Sequence, residues 1–173
     1  VVGFMPNIPE TIIAMLATTS IGAIWSSSSP DFGVKGLLDR FTQIEPKVMF
    51  AANGYFYKGK PFDSIIKLNS ILDPLPSIKQ VIITPYTELN PDITSVKKSI
   101  MWNDFIDPNP NSLEFEQLPF NHPLYIMYSS GTTGLPKSIV HGAGGTLIQH
   151  LKELRLHGNI SMDYTVFYFT TCG

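Results

Sequence analysis

The chain has 173 residues, enough for one domain, or a part of one, with a buried core. Its 12 Lys and Arg against 14 Asp and Glu leave a net charge of −2 with no block of one sign, which excludes the electrostatic footprint of a nucleic-acid or membrane-surface binder. Charged residues make up 15% of the chain, below the roughly 25% of ordinary soluble domains, so part of the surface is expected to be covered by further polypeptide.

The single cysteine, Cys172, excludes a disulfide framework and any thiolate metal spacing, and points to a reducing cytosolic compartment. No apolar run approaches the ~20 residues that span a bilayer, and the first 25 residues lack a basic start followed by a hydrophobic stretch. Val1 opens the chain, and Gly173 closes it directly after the apolar run YTVFYFTTC, which reads as a cut from something longer.

In chain order, VVGFM is a short run of strand type, and PNIPE supplies turn residues before a helical segment carrying Ile12, Ile13, Leu16 and Ala17. AIWSSSSP reads as a strand entering a polar loop. Val34, Leu37, Leu38, Phe41 and Ile44 then recur at helical spacing up to Pro46, which cannot continue a helix. KVMFAA is a strand, NGYFYKGKP a turn, and Phe62, Ile65, Ile66 and Leu72 mark another helix before the strand IKQVIITP. This alternation predicts an α/β fold with parallel βαβ units and helices on the faces of the sheet.

Residues 85–121 are rich in Pro, Asn and Ser, with little periodicity apart from SIMWNDFI, and read as a long excursion. LYIMYSS restores a strand that runs into SSGTTGLPKS, and SIVHG follows as a short strand. A helix marked by Leu147, Ile148, Leu151 and Leu154 then ends at Gly158, and YTVFYFTT is expected as a closing strand.

The stretch SSGTTGLPKS carries the chemistry. Gly131 and Gly134 allow close backbone approach and positive φ, so that successive N–H groups can converge on an anion. Ser129, Ser130, Thr132 and Thr133 add hydroxyls, and Lys137 adds a mobile cation. The composition is that of a phosphate cradle. A Walker loop needs glycine immediately before its lysine; Pro136 stands there instead, without an N–H, and a strand rather than a helix follows.

YSSGTTGLPK resembles the serine, threonine and glycine-rich signature of the adenylate-forming superfamily, the acyl-CoA synthetases and their relatives. The flanking sequence is similar too, from VVGFMPNIPETIIAML onward and through HGAGGTLIQHLKE, which resembles the acetoacetate-using branch. The resemblance implies a part of the large N-terminal domain, with residues 1–121 as a βαβ portion that includes the 85–121 excursion and residues 122–173 as the phosphate-loop portion. The small C-terminal domain and its lysine would lie beyond the chain.

It further implies ATP, coenzyme A and acetoacetate as substrates, Mg2+ on the ATP phosphates, Ser129, Ser130, Gly131, Thr132, Thr133 and Gly134 around the β- and γ-phosphates, and Lys137 as a phosphate-site residue that either fixes the loop or neutralises phosphate charge. A ligase for another short-chain acid, and a truncated paralogue without catalysis, are the competing readings.

Other residues read as structural. No two of His122, His141, His150 and His157 have the i, i+4 spacing of a helical metal site. Gly142–Gly145 suits close strand-to-helix packing better than a second anion site, although lining of the acyl pocket is implied by the family. Asp31 is expected to cap the helix that starts near Gly33, Trp25 and Trp102 to pack, and Cys172 to be buried.

Overall fold

The structure, a computed structural model, describes residues 1–109, 112–129 and 134–171. Five short strands form one sheet: β1 (Val2–Phe4), β2 (Ser26–Ser28), β3 (Val48–Ala52), β6 (Gln80–Thr84) and β7 (Ser99–Met101), in the order β2-β1-β3-β6-β7 with every pair parallel. Between β3 and β6 lie an antiparallel hairpin, β4 (Gly54–Tyr57) and β5 (Lys60–Asp63), and helix α3 (Ile65–Leu72).

Side chains alternate across the sheet, as the strand repeat of two demands. Val2, Phe4, Met49, Ala51, Val81 and Ile83 pack on one face under α3 and α2 (Val34–Phe41), where Leu37, Phe41, Leu68 and Ile71 are fully buried. Phe50, Ala52 and Ile82 face the other way, toward α1 (Pro9–Ser20) and α4 (Trp102–Phe105). Parallel strands covered on both sides need apolar residues at nearly every position, which is why VMFAA and QVIIT are continuous runs.

The expected α/β sheet with helices on its faces is therefore present, and Trp25 and Trp102 both pack against Phe50, at ring-centroid distances of 6.2 and 5.8 Å. Several expectations need correction. The excursion holds the fifth parallel strand, β7, and α4, because Ile100 and Met101 add to the open edge of β6. The segment read as a turn through NGYFYKGKP is the β4–β5 hairpin, and Phe62 lies in β5, not in α3.

Helix α1 forms where expected but buries Thr11, Ala14 and Thr18; Ile12, Ile13 and Leu16 are 44%, 52% and 57% exposed. Small inward residues let this helix lie close to the sheet, and its large apolar residues face outward. Residues 164–171 form no strand, and Val166, Phe167, Tyr168 and Phe169 are exposed; apolar alternation makes a ladder only where a neighbouring strand supplies hydrogen-bond partners. Asp31 caps nothing, since Gly33 occupies the N-cap of α2 without a side-chain bond. Cys172 lies outside the described residues.

The remaining elements are β8 (Pro123–Ser129), β9 (Lys137–Gly142), α5 (Ala143–Lys152) and a wide π turn over Glu153–His157. Strands β8 and β9 form an antiparallel hairpin, which is tied to the sheet by its contacts with Trp25. The Trp25 N–H donates to the Leu124 carbonyl at 3.0 Å, and the Ile126 N–H donates to the Trp25 carbonyl at 2.9 Å. Gly3 makes this seat possible, because a Cβ there would stand 2.7 Å from the Trp25 ring.

Candidate functional site

In sequence, residues 130–136 of SSGTTGLPK join β8, which ends at Ser129, to β9, which starts at Lys137. The β8–β9 ladder pairs Tyr128 with Ser138 and Ser129 with Lys137, so Ser129 and Lys137 face each other across the mouth from which the turn emerges. Gly134 has φ +106°, which an L side chain rarely adopts, and this accounts for glycine at that position. Ser130, Gly131, Thr132 and Thr133 lie outside the described residues.

The loop end of the hairpin rests on the end of α2. The Tyr128 hydroxyl donates to the Arg40 carbonyl at 2.9 Å, and Ser26 Oγ donates to the Ile126 carbonyl at 2.7 Å. Arg40 donates to the Gly36 carbonyl at 2.6 Å, and its guanidinium lies 4.3 Å from the Phe32 ring centroid and 5.8 Å from that of Tyr128. Gln43 reaches the other strand. Its Nε2 donates to the Pro136 carbonyl at 3.0 Å, and its Oε1 accepts from Ser138 Oγ at 2.9 Å.

Arg40 and Gln43 have no signal in local patterning, because their contacts join residues about ninety positions apart; Ser138 closes the motif, but its bond to Gln43 is not legible there. Tyr128 stood inside the motif, yet its phenol points to α2 and not to the turn.

Burial pushes the Tyr128 phenol above the ordinary tyrosine value, more strongly than the side chains of Ser26 and Ser138 and the charge of Arg40 pull it down. With the folded-state value raised, this group's contribution to stability is full below the unfolded value, about pH 10, and is lost as pH rises from there through the folded value. Tyr128→Phe is expected to cost about 0.5–1.5 kcal/mol of unfolding free energy and to flatten the stability profile above that pH, as read by urea titration.

Beside the hairpin opens a cavity of about 1010 Å³ bounded by Trp25, Ser28, Tyr128, His141, Thr146 and Gln149 among others. Ser28 and Thr146 line it, and among the described residues Ser28 Oγ and Thr146 Oγ1 have no hydrogen-bond partner. Gly142 is the N-cap of α5, and a Cβ on Gly144 would stand 2.2 Å from the Phe120 ring, so close packing explains that glycine.

His122 Nε2 lies 2.8 Å from the Gly22 carbonyl, and His157 lies 3.5 Å from Glu153. His141 and His150 line the cavity. Among the described residues no three His, Cys, Asp or Glu side chains gather to hold a metal ion, and no helix is long and apolar enough to cross a membrane.

Comparison with known proteins places the chain in a family. Residues 1–171 match AMP-binding enzyme. The chain belongs to that family. The whole chain is 53% identical to acetoacetyl-CoA synthetase of Gallus gallus and 51% identical to acetoacetyl-coenzyme A synthetase of Rhizobium meliloti (strain 1021), covering 27% of each. It superposes on acetoacetyl-CoA synthetase from Streptomyces lividans with a TM-score of 0.91 and 41% identity, over 100% of this chain and 26% of that one. The chain is thus an acetoacetyl-CoA synthetase homologue of the AMP-binding ligase family, spanning about a quarter of the length of the relatives it matches.

Proposed function

We propose that the chain is the phosphate-holding part of an enzyme that joins acetoacetate to coenzyme A at the expense of ATP. The observation that carries this reading is the similarity to acetoacetyl-CoA synthetases along the entire chain, 53% in one case. In such a reaction a carboxylate oxygen attacks the α-phosphate of ATP and pyrophosphate leaves. The thiol of coenzyme A then attacks the acyl carbon of the adenylate, and AMP leaves.

The first step builds negative charge on the departing pyrophosphate, and donors already aimed at that charge lower the barrier. Ser129, Ser130, Gly131, Thr132, Thr133 and Gly134 supply hydroxyl and backbone N–H donors to the β- and γ-phosphates, and Lys137 supplies a cation at the mouth of the hairpin. For Ser129 and Lys137 the support is the register that sets them opposite each other; for the residues between, it is the resemblance of SSGTTGLPK to the family signature. In this reading residues 1–121 are the βαβ portion of the large domain and residues 122–173 the phosphate-loop portion.

Mg2+ enters with ATP, bound to phosphate oxygens, since it keeps few protein ligands in such sites. The carboxylate of α2, Asp39, is paired with Lys35 at 2.7 Å, and no residue of this chain is assigned to the metal.

The test is acetoacetate-dependent exchange of labelled pyrophosphate into ATP by the intact protein that carries this chain, with acetate and propionate for comparison. Exchange that favours acetoacetate supports the reading, exchange that favours either other acid reassigns the substrate, and no exchange with any of them removes the ligase reading. The 173-residue chain by itself is expected to give none; exchange by it would mean that these residues complete an adenylation site.

A further inference from the structure

We infer that Gln43 is a positioning residue for Lys137, gripping the two residues on either side of it and so fixing the face of the hairpin on which its ammonium projects. This rests on the reading of the hairpin as an ATP phosphate site. Gln43 follows α2, whose Leu37 and Phe41 are fully buried, so its backbone is fixed to the core. Its amide is fully committed: Nε2 donates to the Asp39 carbonyl at 2.6 Å and to the Pro136 carbonyl at 3.0 Å, while Oε1 accepts from Ser138 Oγ at 2.9 Å. A flipped amide would set oxygen against two carbonyls, so the orientation has one solution.

The consequence follows from strand geometry. Successive side chains on β9 point to opposite faces. Pinning the Ser138 hydroxyl to α2 therefore sends Lys137 to the face away from α2, and a slip of one residue would reverse the two. The Tyr128 bond to Arg40 holds β8 to the same turn of chain, so both strands of the hairpin are referenced to one rigid point. Among the described residues Lys137 has no ion-pair partner of its own, which leaves its charge available to a ligand.

The experiment is equilibrium binding of magnesium ATP to the intact protein that carries this chain, in wild type, Gln43→Leu, Lys137→Ala and the double variant, with a melting curve for each. Gln43→Leu is expected to weaken ATP by about tenfold, the scale of one or two lost hydrogen bonds. On the Lys137→Ala background it is expected to add less than about twofold, because groups that act through one another are not additive. A residue that merely stabilised the fold would cost the same on both backgrounds. Ser138→Ala breaks the grip from the other side and should weaken ATP in the same direction, which decides the matter if Gln43→Leu does not fold.

ATP affinity unchanged in Gln43→Leu, or additive losses in the double variant, overturns the inference while leaving Lys137 in its role. Equal ATP affinity in wild type and Lys137→Ala overturns both this inference and the phosphate-site reading beneath it.

Discussion

Phe41→Ala is expected to lower the unfolding free energy by about 3–5 kcal/mol, the range for truncating a fully enclosed aromatic residue. Phe41 has no exposed surface and sits in the cluster with Val2, Phe4, Leu37, Met49 and Leu68, where α2 meets the sheet. Its neighbours on all sides are held by other strands and helices, so the void can close only partly. Against the 5–15 kcal/mol that stabilises an ordinary domain, the loss is a large share.

A site effect should accompany it. Arg40 and Gln43 flank Phe41 and hold the two strands of the hairpin, so loosening the end of α2 should weaken ATP binding even where the protein is still folded. Urea titration with an unchanged slope, read beside ATP affinity at low denaturant, checks both effects. A loss under about 1 kcal/mol would mean that the core collapses onto the gap and that α2 is anchored elsewhere.

The contrast between Phe41 and Gln43 shows what the sequence could and could not reveal. Phe41 announces itself through Leu37, Leu38 and Ile44 at helical spacing, a pattern that local physics writes and that the fold repeats. The continuous runs in β3 and β6 are legible for the same reason. Strand β7 is harder to see, because three residues within a polar excursion become a strand only when β6 offers an edge. The run YTVFYFTT fails in the opposite sense: its composition suits a strand, but residues 164–171 are not in a strand.

The outward stripe on α1 is a further case. Periodicity tells that Ile12, Ile13 and Leu16 share a side of a helix, and not which side the sheet will take; Thr11, Ala14 and Thr18 won because small residues permit closer approach. At the candidate site, the motif gave Ser129, Gly134 and Lys137 through composition and resemblance. Arg40, Gln43 and the seat at Trp25 come from packing between distant segments, which no local pattern encodes.

Lys137→Ala should weaken ATP binding by about 10- to 100-fold, corresponding to the 1.5–3 kcal/mol of a hydrogen bond to a charged group. The sign follows from placement: the lysine stands opposite Ser129 at the mouth of the turn, has no ion-pair partner among the described residues, and loses charge-assisted donation when truncated. The same variant should bind AMP as well as the wild type does, because a group that contacts the β- and γ-phosphates touches nothing in AMP. Lys137→Arg keeps the charge but replaces a compact ammonium with a longer planar fork, and partial recovery is expected. The difference between wild type and Lys137→Ala should also shrink with added salt, since an exposed charge is screened over about 10 Å at 0.1 M. Parallel titrations with ATP and AMP at two salt concentrations separate the cases. An equal loss for both nucleotides would place Lys137 in the support of the hairpin, whereas a loss confined to ATP would place its ammonium on the phosphates that leave.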